Sequence, residues 1–502
     1  MNRARMNCTA LLALAASAGL SSAQTTYTVP GPSGESLKFY LESGLSPLAS
    51  GDTLILTDAG SYQTTYIISD AGLTIRAADG QNITIDGQFA GSVFEIMAPN
   101  TTLEGLTIRG GLADIDGGAV RCLDQNLTIR DCRFENNFAP DDGGAIVFSD
   151  ATLLIEDSHF IGNETMGLTT QSAGGAIQSV RGNITLRRCT FSGNIADYAG
   201  GALHIADSDA RYQIESCVFE ANTARFGGAI WWVTAAEGDV FDSSFLGNIA
   251  GADGGAVYHN SAPATYTRCE FIANKTEGAG ADDGGAVYIT GETANEVVMT
   301  SCLLAGNIAN SSGGAMEIIS GPDPTFLNCT LVDNVAIGAV SANGGGAVHT
   351  SGAGATGNFR NCIVRGNMPD QFSGPAALFY SNVEGGSGGT VIDADPLFVN
   401  AAGGDYRLMD ASPSIDAGNT NNYSTQASPT DLDGNRRAVS TADAPTGAPL
   451  LGLFVDQGAY EFQPEGGASL PGCSVADIAE PYNVLDFSDV IGFLGAFGAG
   501  CP

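Results

Sequence analysis

Residues 127–148 read LTIRDCRFENNFAPDDGGAIVF and contain both motifs that repeat along this chain. The first motif is an apolar residue three positions before an asparagine, here Phe134 and Asn137. The second is Gly-Gly-Ala, here beginning at Gly143; nine copies follow one another at steps of 26 to 32 residues, in phase with the first motif. Two motifs in phase at this period are typical of a solenoid, in which each unit buries its apolar face against its neighbours.

The repeating unit is predicted to consist of short β-strands. From Leu127 to Phe134 apolar and polar residues alternate, and this period of two indicates strands rather than a helix. The 68 glycines and the many β-branched and aromatic residues favour turns and strands. Strands of successive coils would pair in parallel about 4.8 Å apart and cover each other's edges. The sequence therefore predicts an all-β, parallel β-helix, right-handed like most parallel crossovers.

Other segments flank the predicted solenoid. Arg3 and Arg5 precede an apolar run and a small-residue cleavage site, as in a signal peptide, and Ser36–Leu45 spaces apolar residues like one helical face. We therefore expect a helical cap at the N-terminal end of the solenoid and a short helical tail at the C-terminus. The predicted parts are a signal peptide (1–23), the N-terminal cap (24–50), the β-helix (51–400), a C-terminal cap or anchor-type region (401–462), a linker (463–472) and a tail (473–502).

Composition indicates an exported acidic protein. The chain has 20 Lys and Arg against 55 Asp and Glu, a formal net charge of −35. Such a charge repels nucleic acid and anionic lipid, so nucleic-acid binding is excluded. No stretch after the signal peptide is long and apolar enough to predict a transmembrane helix. We expect the protein to be secreted, and either extracellular or attached to the bacterial cell envelope or outer membrane.

Two columns of the repeat are predicted to be structural. The position two residues before the apolar residue of the first motif is Cys in most coils and Ser in the others. This pattern favours an interior ladder of reduced thiols over disulfides between coils. The Asn column favours a ladder of side-chain amides between turns, with ligand contact as the alternative. Cys473 and Cys501 in the tail are expected to form a disulfide in an oxidising exterior.

The motifs resemble those of known families. Gly-Gly-Ala-(Ile/Val/Leu) with Phe-x-x-Asn, over about residues 101–367, resembles the repeats of the chlamydial polymorphic membrane protein family, whose β-helical passenger domains are surface adhesins. The segments Asp395–Phe398, Ser412–Gly418, Asp431–Arg437 and Asp456–Glu461 are similar to the C-terminal region of bacterial surface proteins of the choice-of-anchor Q type. Both resemblances imply a location at the cell surface.

The tail from Asp477 to Phe497 is similar to one half of a type I dockerin repeat. That resemblance implies calcium binding by Asp477, Asp486 and Asp489, although Ala479 and Pro481 stand where the dockerin loop has ligands. The alternative is a cystine-closed sorting helix in which these aspartates are solvated caps.

A column of acidic residues precedes the Gly-Gly-Ala motif. Asp116 and Asp142 fall on consecutive coils, as do Asp253 and Asp283, and Asp141 and Asp282 lie beside them. Carboxylates stacked about 4.8 Å apart repel each other unless a cation lies between them. The pattern thus predicts calcium as a possible cofactor, with a hydrated turn as the alternative.

The residue two positions after the alanine of each motif is predicted to point outward. Large exposed rings in register are unusual on an acidic surface. Sugar faces or partner side chains would stack on them; alternatively a loop or the C-terminal segment covers them. The column contains Arg121, Val147, Gln178, His204, Trp231, Tyr258, Tyr288, Glu317 and His349, and the predicted ligand-binding residues are His204, Trp231, Tyr258 and Tyr288.

These features favour a secreted or envelope β-solenoid that acts as an adhesin and binds an extracellular glycan or a cell-surface protein. The alternatives are a polysaccharide lyase or glycoside hydrolase, because β-helices host such enzymes, and a structural surface-layer component. The catalytic triplets of the β-helix enzymes are missing from the sequence, and the four histidines fall on different coils. Whether the protein is an enzyme stays open, and no catalytic residue is assigned.

Overall fold

A computed structural model of the chain describes residues 24–30, 36–43, 45–58, 65–167, 171–206, 211–233, 237–278, 280–291, 297–319, 323–338, 344–352, 355–420, 429–437 and 455–463. The predicted signal peptide lies outside these residues. So does the predicted tail, with Asp477, Asp486, Asp489 and the expected Cys473–Cys501 disulfide.

The described chain is a parallel β-solenoid, as the period predicts. Four parallel sheets run along it, with 14, 12, 8 and 12 strands. We call them sheets A, B, C and D in the order in which each coil passes through them. Stacking in register explains why the sequence motifs form columns: Phe134 pairs with Phe160, and Phe160 with Phe191.

Each coil contributes at most one short strand to each sheet. Sheet A comprises Thr26–Val29, Thr53–Leu56, Thr74–Ala77, Thr101–Glu104, Leu127–Arg130, Thr152–Glu156, Asn183–Arg187, Arg211–Glu215, Glu237–Phe241, Ala264–Thr267, Val297–Thr300, Thr325–Leu327, Gly357–Arg360 and Ala376–Phe379. Sheet B comprises Ile83–Asp86, Leu106–Arg109, Arg133–Glu135, His159–Ile161, Thr190–Ser192, Val218–Glu220, Ser244–Leu246, Glu270–Ile272, Leu303–Ala305, Thr330–Val332, Ile363–Arg365 and Asn382–Val383. The short sheet C comprises Phe138–Ala139, Glu164–Thr165, Ile195–Ala196, Thr223–Ala224, Ile249–Ala250, Lys275–Thr276, Ile308–Ala309 and Val335–Ala336. Sheet D comprises Tyr66–Ile68, Phe94–Ile96, Val120–Leu123, Ile146–Ser149, Ile177–Val180, Leu203–Ala206, Ile230–Val233, Val257–Asn260, Val287–Thr290, Met316–Ile319, Val348–Ser351 and Phe372–Ser373.

The core is a set of stacked side chains inside the coils. Phe134 and Phe160 stack with their ring centroids 4.7 Å apart, and the stack continues in the same way to Phe271. The prediction of an interior column of reduced cysteines is confirmed for the described residues. The free, buried cysteines are Cys122, Cys132, Cys189, Cys217, Cys269, Cys302, Cys329 and Cys362.

The asparagine column forms the predicted ladder between turns. Asn222 Oδ1 accepts hydrogen bonds from the backbone nitrogen and Nδ2 of Asn194, at 3.0 and 2.9 Å. Asn222 Nδ2 donates to Phe191 O and to Asn248 Oδ1, both at 3.0 Å. Every hydrogen-bonding position of the buried amide is therefore used within the protein, which leaves none for a ligand.

The Gly-Gly-Ala motif makes the turn from sheet C into sheet D. Gly143 has φ +62°, and a Cβ there would lie 2.2 Å from Ile146 O. A Cβ on Gly144 would lie 2.2 Å from Gly175 O in the next coil. The first glycine is thus required by its backbone conformation and the second by the close approach of the coils.

The N-terminal end of the solenoid differs from the prediction. The strand Thr26–Val29 pairs with Thr53–Leu56 and extends sheet A, and only Leu37–Glu42 are helical. Leu37, Tyr40 and Leu41 are buried against the core, with the Ser36 side chain as the N-cap. A helix of six residues is not the helical cap predicted for 24–50, because a strand already covers this edge of sheet A.

The described parts of 401–463 pack on the outward face of sheet B and on the turns between sheets A and B. Within them Asp405–Leu408 pairs antiparallel with the preceding strand Phe398–Asn400, and the 3-10 turn Ala401–Gly403 joins the two. Ala459 N donates to Thr330 Oγ1 at 2.9 Å, and Arg437 Nε to Ser301 Oγ at 3.1 Å. These described parts therefore leave the outward face of sheet D uncovered. None of the described helices has the length and apolar character needed to cross a bilayer.

Candidate functional site

The predicted outward column lies on sheet D. His204 pairs with Trp231, Trp231 with Tyr258, Tyr258 with Tyr288, Tyr288 with Glu317, and Glu317 with His349. The residues just before each Gly-Gly-Ala turn lie beside this column. We call the two columns together the sheet D strip.

The aromatic rings of the strip stack along the solenoid axis. His204 and Trp231 have centroids 4.8 Å apart at 16°, and Tyr258 and Tyr288 have centroids 4.7 Å apart at 21°. Within each pair the rings therefore cover each other's faces. Only 9% of His204 and 8% of Tyr288 is exposed, and Trp231 and Tyr258 are partly buried. Of the two alternatives drawn from the sequence, exposed rings or covered rings, the burial agrees with the second, because the short coil spacing brings the rings into mutual contact.

Residues of the preceding turns pack on the same rings. Tyr198 lies edge-on to Trp231 at 5.5 Å, and Phe226 lies edge-on to Tyr258 at 5.6 Å. The turn residues Tyr198 and Phe226, rather than the described parts of the C-terminal segment, therefore cover part of the outward column, and cover by a loop is one of the alternatives drawn from the sequence.

The tyrosine hydroxyls lie among carboxylates. Burial raises the pKa of Tyr258 to about 12, and the nearby Asp253 charge adds to that rise. Burial likewise raises the pKa of Tyr288, with Tyr258 and Asp253 contributing. Both phenols stay protonated at neutral pH, and within the described chain neither has a hydrogen-bond partner.

The acidic residues just before the Gly-Gly-Ala turns form hydrogen bonds with the next coil. Asp253 Oδ1 accepts from the Asp283 backbone nitrogen at 3.1 Å, and Asp283 Oδ1 accepts from Ser312 N and Oγ at 2.9 and 2.8 Å. In each carboxylate Oδ1 is fixed by the turn, whereas Oδ2 has no partner among the described residues. Burial raises the pKa of Asp253 to about 6, and repulsion from Asp283 adds to the rise.

Asp116, Asp141 and Asp142 form a tighter acidic cluster. Each offers an oxygen, and these oxygens lie within 4.8 Å of one another. Burial, together with the charge of Asp141, raises the pKa of Asp142 to about 7. Calcium binds oxygen ligands, and three carboxylates this close together are suited to hold it. Across the described ranges no comparable group of three forms around Asp253 and Asp283.

The structure adds two residues that the sequence did not assign to the site. Glu317, only 1% exposed in its side chain, accepts from Ser312 Oγ at 3.0 Å and Ser351 Oγ at 2.9 Å. His349 Nδ1 lies 2.7 and 2.9 Å from the two oxygens of Glu317. The hydrogen bond that His349 donates to Glu317 raises the pKa of His349 above its usual value of 6.5. The sequence signal that could have identified this pair is their position on successive coils of the outward column.

Comparisons with known families agree with the fold. Residues 66–248 match the family described as "Right handed beta helix region", which agrees with the predicted handedness. Residues 242–260 match the Chlamydia polymorphic membrane protein repeat. These matches do not reach the choice-of-anchor-like region or the dockerin-like tail, both of which stay predictions. Among curated proteins no sequence match was found.

Solved structures that are similar to this chain include several polysaccharide lyases. A PL6 alginate lyase in complex with a trisaccharide has a TM-score of 0.49 at 13% identity, covering 85% of this chain and 96% of that one. The alginate lyase AlyF-OU02 with G6 has a TM-score of 0.41 at 15% identity, covering 67% and 80%. The pectate lyase Pel9A has a TM-score of 0.31 at 12% identity, covering 88% and 97%. Likeness at this level transfers none of their chemistry to this chain.

Proposed function

We propose that the sheet D strip binds a neutral extracellular glycan. The observation that carries this proposal is the row of unpartnered polar atoms at Tyr258, Tyr288, Asp253 and Asp283. On consecutive coils the row offers phenol hydroxyls that donate and carboxylate oxygens that accept. Sugar hydroxyls both donate and accept, so an extended glycan can bond to both of these coils at once.

Charge selects the class of glycan. The chain has a net charge of −35, and the acidic residues of the strip include Asp253, Asp283 and Glu317. A polyanionic chain would be repelled from such a surface, whereas a neutral one would not. The ring edges of Trp231 and Tyr258 add apolar contact for the C–H groups of a sugar.

We further propose that this binding serves attachment at the cell surface, as in an adhesin. Support comes from the repeat match at residues 242–260 and from the signal-peptide pattern at residues 1–23. A surface used for attachment requires affinity for a glycan and no turnover of it.

The test is a binding measurement on a panel of neutral glycans, namely cellohexaose, N-acetylchitohexaose, mannohexaose and xylohexaose, by isothermal titration calorimetry. The variant with both Tyr258→Phe and Tyr288→Phe keeps the stacked rings but removes the hydroxyls. Its affinity should fall roughly tenfold, about 1.4 kcal/mol, because each lost hydrogen bond contributes about 0.5–1.5 kcal/mol.

Glu220→Gln is the matched control, because Glu220 is exposed on the outward face of sheet B. The control variant should bind like the wild type. Unchanged affinity in the double tyrosine variant, or binding to none of the four glycans, contradicts the proposal. Reducing ends are measured in the same samples to detect cleavage of the glycan. If they accumulate, the protein is a hydrolase and the proposed adhesin role is wrong.

A further inference from the structure

One end of the sheet D strip contains a histidine that is oriented by a buried carboxylate. Glu317 is held by two serine hydroxyls and faces Nδ1 of His349. The His349 side chain is 20% exposed, whereas that of Glu317 is 1% exposed. The ring is thus the accessible member of the pair, and a ligand on the strip meets His349 rather than Glu317.

The pairing fixes which ring nitrogen faces a ligand. A carboxylate only accepts hydrogen bonds, so Nδ1 carries a proton that it donates to Glu317. Nε2 then changes its role with pH: it carries a proton and donates when the ring is charged, and it accepts when the ring is neutral. Nε2 has no hydrogen-bond partner among the described residues.

The charges around the ring favour its protonated form. Glu317 lies on the preceding coil, and Asp283 lies one coil further and shares the Ser312 hydroxyl with Glu317. On the following coil His349 pairs with the uncharged Ser373, and the nearby Asp370 is exposed. Among the described residues of the outward column, Tyr288 lies two coils before His349, and its phenol is neutral in the relevant range because burial raises its pKa.

We infer that His349, oriented by Glu317, is a proton-linked recognition residue whose Nε2–H donates to an acceptor-only oxygen of the bound neutral glycan. This inference rests on the proposed function and adds a position and a pH dependence to it. The acceptor-only oxygens of a neutral glycan are ring and glycosidic ethers and the carbonyls of acetyl groups. A sugar hydroxyl is not selected, since it can donate to neutral Nε2 as readily as it accepts from the charged ring.

The experiment measures affinity for cellohexaose and for N-acetylchitohexaose at about pH 6 and about pH 9, on either side of the histidine titration. Wild-type affinity should fall roughly tenfold or more at the higher pH, because a hydrogen bond from a charged donor contributes about 1.5–3 kcal/mol. A fall for both ligands assigns an ether oxygen as acceptor, and a fall for the acetylated ligand alone assigns a carbonyl.

His349→Gln keeps a neutral donor at every pH, so its affinity should change little between the two conditions. A change that persists in this variant comes from other groups of the strip, namely Asp253 and Asp142, whose pKa values burial raises to about 6 and about 7. Wild-type binding that is independent of pH, or pH dependence that is equally large in His349→Gln, overturns the inference and leaves the proposed function intact. Binding of neither hexasaccharide overturns the inference, and the wider panel then decides the proposed function.

Proton NMR of the histidine rings tests the pairing without a glycan. Burial lowers the pKa of His204 to about 4 and that of His259 to about 3, so neither ring titrates near neutral pH. His159→Gln and His349→Gln assign the two remaining rings. The midpoint of His349 should lie above 6.5 and move down in Glu317→Gln. An unchanged midpoint in a folded Glu317→Gln protein shows that Glu317 does not control the ring, and the inference then fails.

Discussion

Replacement of Asn222 by alanine should destabilise the solenoid strongly. The buried amide makes four side-chain hydrogen bonds, at 2.9 to 3.0 Å, to Asn194, Phe191 and Asn248. After Asn222→Ala the backbone N–H of Asn194 has no acceptor, which costs about 1–3 kcal/mol. The other three hydrogen bonds of the Asn222 side chain are also lost, at about 1 kcal/mol each. We therefore expect a loss of roughly 4–6 kcal/mol in the free energy of unfolding.

Asn126→Ala is the matched control. Asn126 also forms hydrogen bonds with both adjacent coils: its Nδ2 donates to Asn100 Oδ1 at 3.2 Å, and its Oδ1 accepts from Thr152 N at 3.0 Å. Unlike Asn222, however, Asn126 is exposed. Water replaces these partners, so this variant should lose no more than about 1 kcal/mol. The assay is urea unfolding followed by the fluorescence of Trp231 and Trp232, with midpoints compared because solenoids need not unfold in two states. Equal midpoints for the two variants would refute the reasoning that buried ladder bonds stabilise the stack.

Four further predictions concern the packed rings, the thiols, and the pH dependence and calcium response of the Asp142 cluster. The double substitution Trp231→Ala and Tyr258→Ala should lower the free energy of unfolding by about 3 kcal/mol or more, because the rings are packed against neighbours, and thermal unfolding by circular dichroism measures this. Thiol titration of the denatured mature protein should find eight free groups, the buried cysteines of the described chain, and a count near zero would contradict the interior ladder. Burial raises the pKa of Asp142 from 3.8 to about 7, so the protonated carboxyl stabilises the fold below pH 4, and this stabilisation is lost as the pH rises through 7. The melting temperature of Asp142→Asn should therefore change less over this pH window than that of the wild type. Millimolar calcium should raise the melting temperature at pH 8 in the wild type and less in Asp142→Asn if Asp116, Asp141 and Asp142 bind it, and equal shifts would contradict that site.

The columns of the site are readable from the sequence because every coil stacks in register. Counting from the Gly-Gly-Ala alanine places Tyr258, Tyr288, Glu317 and His349 in one outward line, in agreement with the strand pairing. What the count cannot give is the torsion of each side chain. The tilt that stacks Tyr258 on Tyr288, and the rotamer that brings His349 onto Glu317, depend on neighbours from three coils.

The incorrect prediction of a helical cap has a similar cause. The spacing of apolar residues in Ser36–Leu45 is satisfied by little more than one helical turn, Leu37–Glu42. Whether such a segment extends into a cap depends on what else covers the end of the core. Here Thr26–Val29 pairs with Thr53–Leu56 and extends sheet A, so this part of 24–50 is a strand, and the long-range contact has no local signature in the sequence.

Hydrogen exchange with and without saturating glycan is the most direct test of the claim that the sheet D strip is the binding surface. The probe is whichever of cellohexaose and N-acetylchitohexaose binds more tightly. We predict slower exchange at the amides of Asp283 and Ser312, whose hydrogen bonds end on the strip carboxylates, and in Val287–Thr290 of sheet D. Exchange in Val297–Thr300 of sheet A should not change. Protection confined to sheet A or sheet B, with sheet D unaltered, would contradict the account.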